Sequence, residues 1–130
     1  MAETKPARAP QRGEIWYVKV PSDPPDKDRR PVVVVSIEAR NAHQRATTVL
    51  VVPLSTTPPK VELASHISLS PGETGLSEPS TLQCENITTV RKESLQESRE
   101  KLRRLSEGVM LKVAKGVVVA LGFADLKREQ

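Results

Sequence analysis

The chain has 130 residues, with 20 lysines and arginines against 16 aspartates and glutamates, and carries a net charge of +4. That length suits one domain with a modest core, no apolar stretch is long enough to span a bilayer, and the single cysteine, Cys84, excludes an internal disulfide framework or a cysteine-based metal site. Residues 1–12 lack the apolar core of an export signal, so a cytoplasmic location is the expectation. The basic balance permits a nucleic-acid partner. With Trp16, Tyr17 and Phe123 as the only aromatics, a base-stacking platform is not the way such a partner would be held. Contacts would rest on arginine, lysine, hydroxyls and backbone amides.

Residues 1–12 are polar, contain proline and show no period, which reads as a flexible N-terminal tail. The first strand follows over 13–20 and stops at Pro21. Residues 21–28 form a charged, proline-rich loop in which three aspartates, Asp23, Asp26 and Asp28, precede Arg29 and Arg30. Two short β-branched runs come next, 32–35 and 48–54, separated by a polar loop over 37–47. Their length, composition and flanking breakers indicate buried strands. Pro31 reinforces the first, because the residue before a proline is driven toward extended geometry. Residues 62–69 form a weaker strand candidate, with Ile67 and Leu69 alternating against His66 and Ser68. Residues 71–75 read as a turn. Residues 79–90 read as one strand, or as two broken near Glu85 and Asn86. A helical turn is expected over 93–96, and 99–105 is open between helix and strand. Ser106 can cap a helix over 107–121 that places Val109, Met110, Val113, Val117, Ala120 and Leu121 near one face, with Gly122 as its stop. The order of short strands followed by one helix indicates a mainly β fold, a strongly bent antiparallel sheet or partly open barrel with a C-terminal helix against it.

If the runs 32–35 and 48–54 pair antiparallel through the intervening loop, the start of the first lies beside the end of the second. Arg30 and Ser55 then meet at one rim of the sheet. A guanidinium beside a hydroxyl, on edges held by stiff strands, is a phosphate site; the competing reading is an arginine paired with a nearby carboxylate and a serine that ends a strand. His43 and His66 show no paired spacing, so no metal is expected, and no nucleotide-binding glycine loop or nucleophile elbow is present. Glu78 and Glu85 are the carboxylates available as a base, and Cys84 reads as an inert buried thiol. Arg30 with Ser55 and Thr56, helped by Glu85 or Asn86, could still cleave RNA. RNA carries its own nucleophile, the 2′-hydroxyl. A protein that aligns it with phosphorus and stabilises the developing charge needs little else.

At these residues the sequence resembles the MazF/PemK family of toxin endoribonucleases. Gly13-Glu14-Ile15-Trp16 is similar to the family's opening Gly-(Asp/Glu)-Ile-Trp. Arg30-Pro31-Val32-Val33-Val34-Val35-Ser36 is similar to its Arg-Pro strand, and Val52-Pro53-Leu54-Ser55-Thr56 to its hydrophobic-Pro-(Ile/Leu)-Thr-(Ser/Gly) strand end. Gly75-Leu76 and the block from Ser80 to Val90 follow in the family's order, and Leu105-Ser106 precedes an apolar helix that ends Ala120-Leu121-Gly122. The match covers residues 13–122, giving one toxin domain between an N-terminal tail, 1–12, and a C-terminal tail, 123–130.

The resemblance implies an SH3-like barrel of the Kid/MazF/CcdB type, a homodimer, and cofactor-free, metal-independent cleavage of single-stranded RNA to 2′,3′-cyclic phosphate and 5′-hydroxyl ends. It implies inhibition by a cognate MazE-like antitoxin whose disordered tail fills the RNA groove. It places Arg30 at the catalytic arginine and Ser55 at the catalytic threonine, with Thr56 as the alternative hydroxyl one residue on. Arg29, Thr57, Glu85, Asn86 and Thr88 are the expected RNA contacts. Asn86 stands where the family has glutamine and Thr88 where it has arginine. The other function open to the same fold is a non-enzymatic toxin that poisons a protein target, as CcdB does gyrase.

Overall fold

The computed structural model describes residues 8–98 and 102–123. The expectations for 1–7, 99–101 and 124–130 lie outside the described residues. Among the described residues there are six strands, β1 (Ile15–Val18), β2 (Arg30–Val34), β3 (Thr48–Ser55), β4 (His66–Leu69), β5 (Ser80–Gln83) and β6 (Thr88–Arg91). The same residues form three helices, α1 (Glu38–Ala42) and α2 (Pro71–Thr74) between strands and α3 (Glu107–Ala120) after the last, with 3₁₀ turns at Cys84–Asn86 and Lys92–Ser94. All described pairings are antiparallel, in the order β1-β2-β3-β5-β4, with β6 also on β3.

β3 organises the sheet. Its first half pairs with β6, from Thr48↔Arg91 to Val51↔Thr88, and its last two residues pair with β5, Leu54↔Leu82 and Ser55↔Thr81. Its opposite edge carries β2 through Val32↔Pro53 to Val34↔Val51. After β6 the chain curls back to β1, where Tyr17 and Gln96 exchange two backbone hydrogen bonds of 2.8 Å. The result is the bent, partly open barrel expected of the sequence.

The apolar runs are unbroken because their strands are buried on both faces. Val33, Val52, Leu54 and Leu82 face one core with Val109, Met110 and Val113 of α3. Val32, Val34, Val49 and Val51 face a second core with Trp16, Val18 and Leu95. Each buried valine contributes about 1.5–3 kcal/mol.

Three local features differ from the sequence reading. The polar loop over 37–47 contains α1, and buried Asn41 explains why it folds there. Asn41 Nδ2 donates to Ser36 O at 2.9 Å and to Glu38 Oε1 at 3.0 Å, while Ser36 Oγ donates to Asn41 Oδ1 at 2.5 Å. The turn at 71–75 is α2, closed by a capping box between Ser70 and Glu73. Residues 8–12 of the expected tail are tied to the domain. Arg8 pairs with Glu14 at 2.8 Å and Glu97 at 3.0 Å over the Trp16 ring, and Arg12 pairs with Glu107 at 2.8 Å. The region 79–90 is two strands, broken by the turn at Cys84–Asn86.

α3 starts where Ser106 Oγ accepts the Val109 amide at 3.2 Å, and Gly122 follows it at φ +94°. The helix packs onto the Cys84–Asn86 turn through Gly116. A Cβ there would sit 2.7 Å from Cys84 Sγ and 3.0 Å from Cys84 Cβ. An alanine normally stabilises a helix interior by about 1 kcal/mol over glycine. Gly116→Ala is instead expected to destabilise this fold by about 1–3 kcal/mol through overpacking, measured by urea denaturation. A gain in stability would show that α3 is free to move off the turn.

Candidate active site at the Arg30 rim

Arg30 opens β2, and Pro31 holds the chain extended behind it. Carried two residues beyond Val32↔Pro53, the β2–β3 register sets Arg30 opposite Ser55. The side chain lies back along the rim. Nη2 donates to Leu54 O at 3.2 Å and to Gln83 Oε1 at 2.9 Å. Nη1 donates to Asp23 Oδ1 at 3.1 Å. Both partners of this ion pair are mostly buried, at 14% and 11% side-chain exposure, so the pair is shielded from water and salt. The proline-rich loop therefore supplies its carboxylate to Arg30 rather than to Arg29. The Arg29 guanidinium is exposed and makes no hydrogen bond or ion pair among the described residues.

Ser55 ends β3 half-buried, and its Oγ accepts the Thr57 amide at 3.2 Å, a hydroxyl-closed turn at the rim. Thr56 and Thr57 are exposed. Directly opposite residues on neighbouring strands share a face. Ser55, Thr81 and Ser68 thus form a row of hydroxyl side chains across β3, β5 and β4. One step along, Gln83 lies opposite His66. This outer face is polar because Leu54, Leu82, Ile67 and Leu69 fill the inner one.

The remaining expected residues divide. Asn86 is exposed and donates to Gln83 Oε1 at 3.4 Å, which joins it to the Arg30 group. Glu85 is committed elsewhere. Its Oε1 accepts Ser65 Oγ at 2.8 Å, and its Oε2 meets His66 Nε2 at 2.8 Å. Burial works against the Glu85 charge, but hydrogen bonds from Ser65, its own backbone and His66 outweigh it and hold the carboxyl below its usual range. A carboxylate so stabilised is a weak base. Thr88 pairs with Val51, four residues along β3 from Ser55, roughly 13 Å at strand rise, and is not brought to Arg30. Cys84 is fully buried, and burial followed by the Glu85 charge pushes its thiol up to about 11. It stays protonated and inert. Asp23 and Gln83 were not singled out as site residues in the sequence. Gln83 was legible only as a polar residue at a strand end, and Asp23 as one of three loop aspartates.

The arrangement presents a positive group with spare donors beside hydroxyls on an open rim. Arg30 has five N–H donors, and three are taken by Asp23, Leu54 and Gln83. Among the described residues no group of three His, Cys, Asp or Glu side chains could hold a metal ion, and no helix is long and apolar enough to cross a membrane. A hollow of about 850 Å³ lies away from this rim, between residues 8–10, the α1 end and β6, and is lined by none of the Arg30 group.

Because the Glu85 carboxyl is depressed in the folded state, its contribution is present above the unfolded value, about 4.3, and fades as pH falls through the folded one. Glu85→Gln is expected to cost on the order of 1 kcal/mol near neutral pH. In denaturation measurements the gap to the parent should narrow as pH falls below the unfolded value and close once it is below the depressed folded one. A gap unchanged at the acid end would mean the pair does not stabilise the fold through its charge.

Comparison with known proteins places this geometry. Comparison with curated protein sequences gives no match. Among solved structures, a mycobacterial endoribonuclease in complex with its cognate antitoxin superposes with a TM-score of 0.66 at 23% identity, over 88% of this chain and 96% of that one. The Mycobacterium tuberculosis toxin MazF-mt6 does so with a TM-score of 0.63 at 23% identity, over 84% and 96%. MazF from Deinococcus radiodurans gives 0.66 at 19% identity, over 88% and 98%. These likenesses establish the fold. The family model for the PemK-like, MazF-like toxin of type II toxin-antitoxin systems matches residues 11–121, which is nearly the whole chain. With Arg30 and Ser55 together on the rim of this barrel, the chain belongs to the PemK-like, MazF-like family of type II toxins.

Proposed function

We propose that the protein is a sequence-specific endoribonuclease, the cytoplasmic toxin of a type II toxin–antitoxin pair, acting as a homodimer on single-stranded RNA. The observation that carries this reading is the guanidinium of Arg30, held against Leu54 O and Gln83 with donors to spare beside Ser55. Several of the similar solved structures are endoribonucleases or MazF toxins, one is in complex with its cognate antitoxin, and two are MazE–MazF structures. A disordered antitoxin segment that covers the Arg30 rim would silence the enzyme by occupying the RNA path.

RNA supplies the nucleophile. The 2′-oxygen attacks the adjacent phosphorus, its proton passes to solvent water at the open rim, the bond from phosphorus to the 5′-oxygen breaks, and that oxygen takes up a proton from solvent. The products are a 2′,3′-cyclic phosphate and a 5′-hydroxyl. Charge grows on the phosphoryl oxygens along this path, and Arg30 meets it with N–H donors already in place. Approaching phosphate takes over the Nη1 donor from Asp23, exchanging one anion for another. Ser55 Oγ, or Thr56 Oγ1 one residue on, donates to a second phosphoryl oxygen. Arg29, Thr57 and Asn86 line the approach as exposed polar groups, while Glu85 and Thr88 act at a distance from the reacting atoms. The departures at Asn86 and Thr88 set base preference rather than chemistry.

Purified protein incubated with a long single-stranded RNA in EDTA is expected to cut at one recurring short sequence. Arg30→Ala should lower that rate by about 10²–10³-fold, the usual effect of losing a donor to transition-state charge. Arg30→Lys, which keeps the charge but not the fork, should fall well below the parent. Ser55→Ala and Thr56→Ala, run side by side, identify the working hydroxyl. Intact RNA with a folded parent protein, or full activity in both Arg30 variants, would remove the assignment. Growth arrest with intact cellular RNA would instead indicate a protein target.

A further inference from the structure

We infer that Gln83 is the positioning residue for Arg30, fixing its guanidinium through the amide oxygen and turning the amide nitrogen toward the RNA phosphate. The inference rests on the ribonuclease reading and extends it to a residue to which the resemblance over Ser80 to Val90 assigns no role.

The orientation of the Gln83 amide follows from chemistry. Arginine has donors and no acceptor, so the atom 2.9 Å from Arg30 Nη2 must be the oxygen. A second donor, Asn86 Nδ2, points at the same oxygen from 3.4 Å. The amide nitrogen is then on the other side, and it has no hydrogen-bond partner among the described residues. Gln83 is half-buried at the end of β5, so this free donor lies at the surface of the rim.

The three anchors of Arg30 are not equivalent. Leu54 O and Gln83 belong to adjacent sheet strands, paired at Leu54↔Leu82. Asp23 belongs to a loop, and it is the anion that phosphate must replace. Once it is replaced, Leu54 O and Gln83 alone keep Nη2 in place. One backbone carbonyl leaves the guanidinium free to swing about a single hydrogen bond. The second acceptor fixes the plane of the fork. An amide suits this task better than a carboxylate. It holds the arginine without neutralising it, so the positive charge remains for the phosphate. The 3₁₀ turn at Cys84–Asn86, pinned by Glu85 to Ser65 and His66, fixes the chain just after Gln83.

The test compares Gln83→Leu and Gln83→Glu with the parent in steady-state RNA cleavage. Side-chain NMR of Arg30 in the same proteins without RNA gives a second readout. Gln83→Leu is expected to lower kcat between about tenfold and about a hundredfold, as misplacement by about an ångström does, and to let the Arg30 Nη signals average. Gln83→Glu should keep those signals ordered but raise KM about tenfold or more, because it removes the donor and adds a charge that repels phosphate. If the parent does not cut RNA, the ribonuclease reading fails, and the NMR comparison still reports whether Gln83 holds Arg30. If the parent cuts, and Gln83→Leu matches it in kcat with unchanged Arg30 signals, the positioning role is wrong while the ribonuclease stands. If Gln83→Glu matches the parent in KM, the amide nitrogen does not face the phosphate.

Discussion

β3 is the strand on which every other part of this protein depends. It pairs with β2 on one edge and with β6 and then β5 on the other, and its side chains fill cores on both faces. A one-residue slip would exchange the two faces, driving Leu54 to the outer surface and Ser55 into the core under α3. The same register that buries these residues therefore sets Ser55 at the rim and Arg30 across from it. Stability and site geometry are two readings of one constraint.

That coupling explains how a site can be built from so few groups. Leu54 O holds Arg30, while the Leu54 side chain lies in the core with Leu82 and Val52. Gln83 holds it as well, at the end of the strand that pairs with Leu54. The guanidinium is thus referenced to the most rigid part of the molecule. Asp23 offsets its charge in the free protein from a loop, the one anchor not set by strand pairing. Groups that look reactive elsewhere are quiet for physical reasons. Cys84 is a buried, protonated thiol, and Glu85 spends its charge on Ser65 and His66.

How much of this was legible in the sequence varied with the kind of signal. The runs at 32–35 and 48–54 announced strands buried on both sides. Ser106 and Gly122 bracketed the helix, and antiparallel pairing alone brought Arg30 to Ser55. The break in 79–90 lies at Cys84–Asn86, where Glu85 and Asn86 interrupt the β-forming run. α1 was not visible, because five residues carry too little periodicity and its anchor is a buried asparagine, a residue type that usually marks loops. The docking of Arg8 and Arg12 depends on glutamates distant in sequence. Gln83 and Asp23 were hidden for a related reason. Their roles come from which atoms meet Arg30, and side-chain reach across strands is not written in local spacing. Thr88 is a motif position that the register sets beside Val51, four residues along β3 from Ser55, so spacing in sequence did not reveal its distance from Arg30.

The central claim is that the protein supplies charge and alignment while the RNA supplies the nucleophile. The most direct measurement uses two oligonucleotides of the cleaved sequence, identical except for a 2′-deoxy sugar at the nucleotide before the scissile bond. The account predicts that both bind with similar affinity, that only the all-ribose strand is cut, and that its product ends in a cyclic phosphate. Cleavage of the 2′-deoxy strand would contradict it, because the attacking oxygen would then have to come from water and not from the RNA.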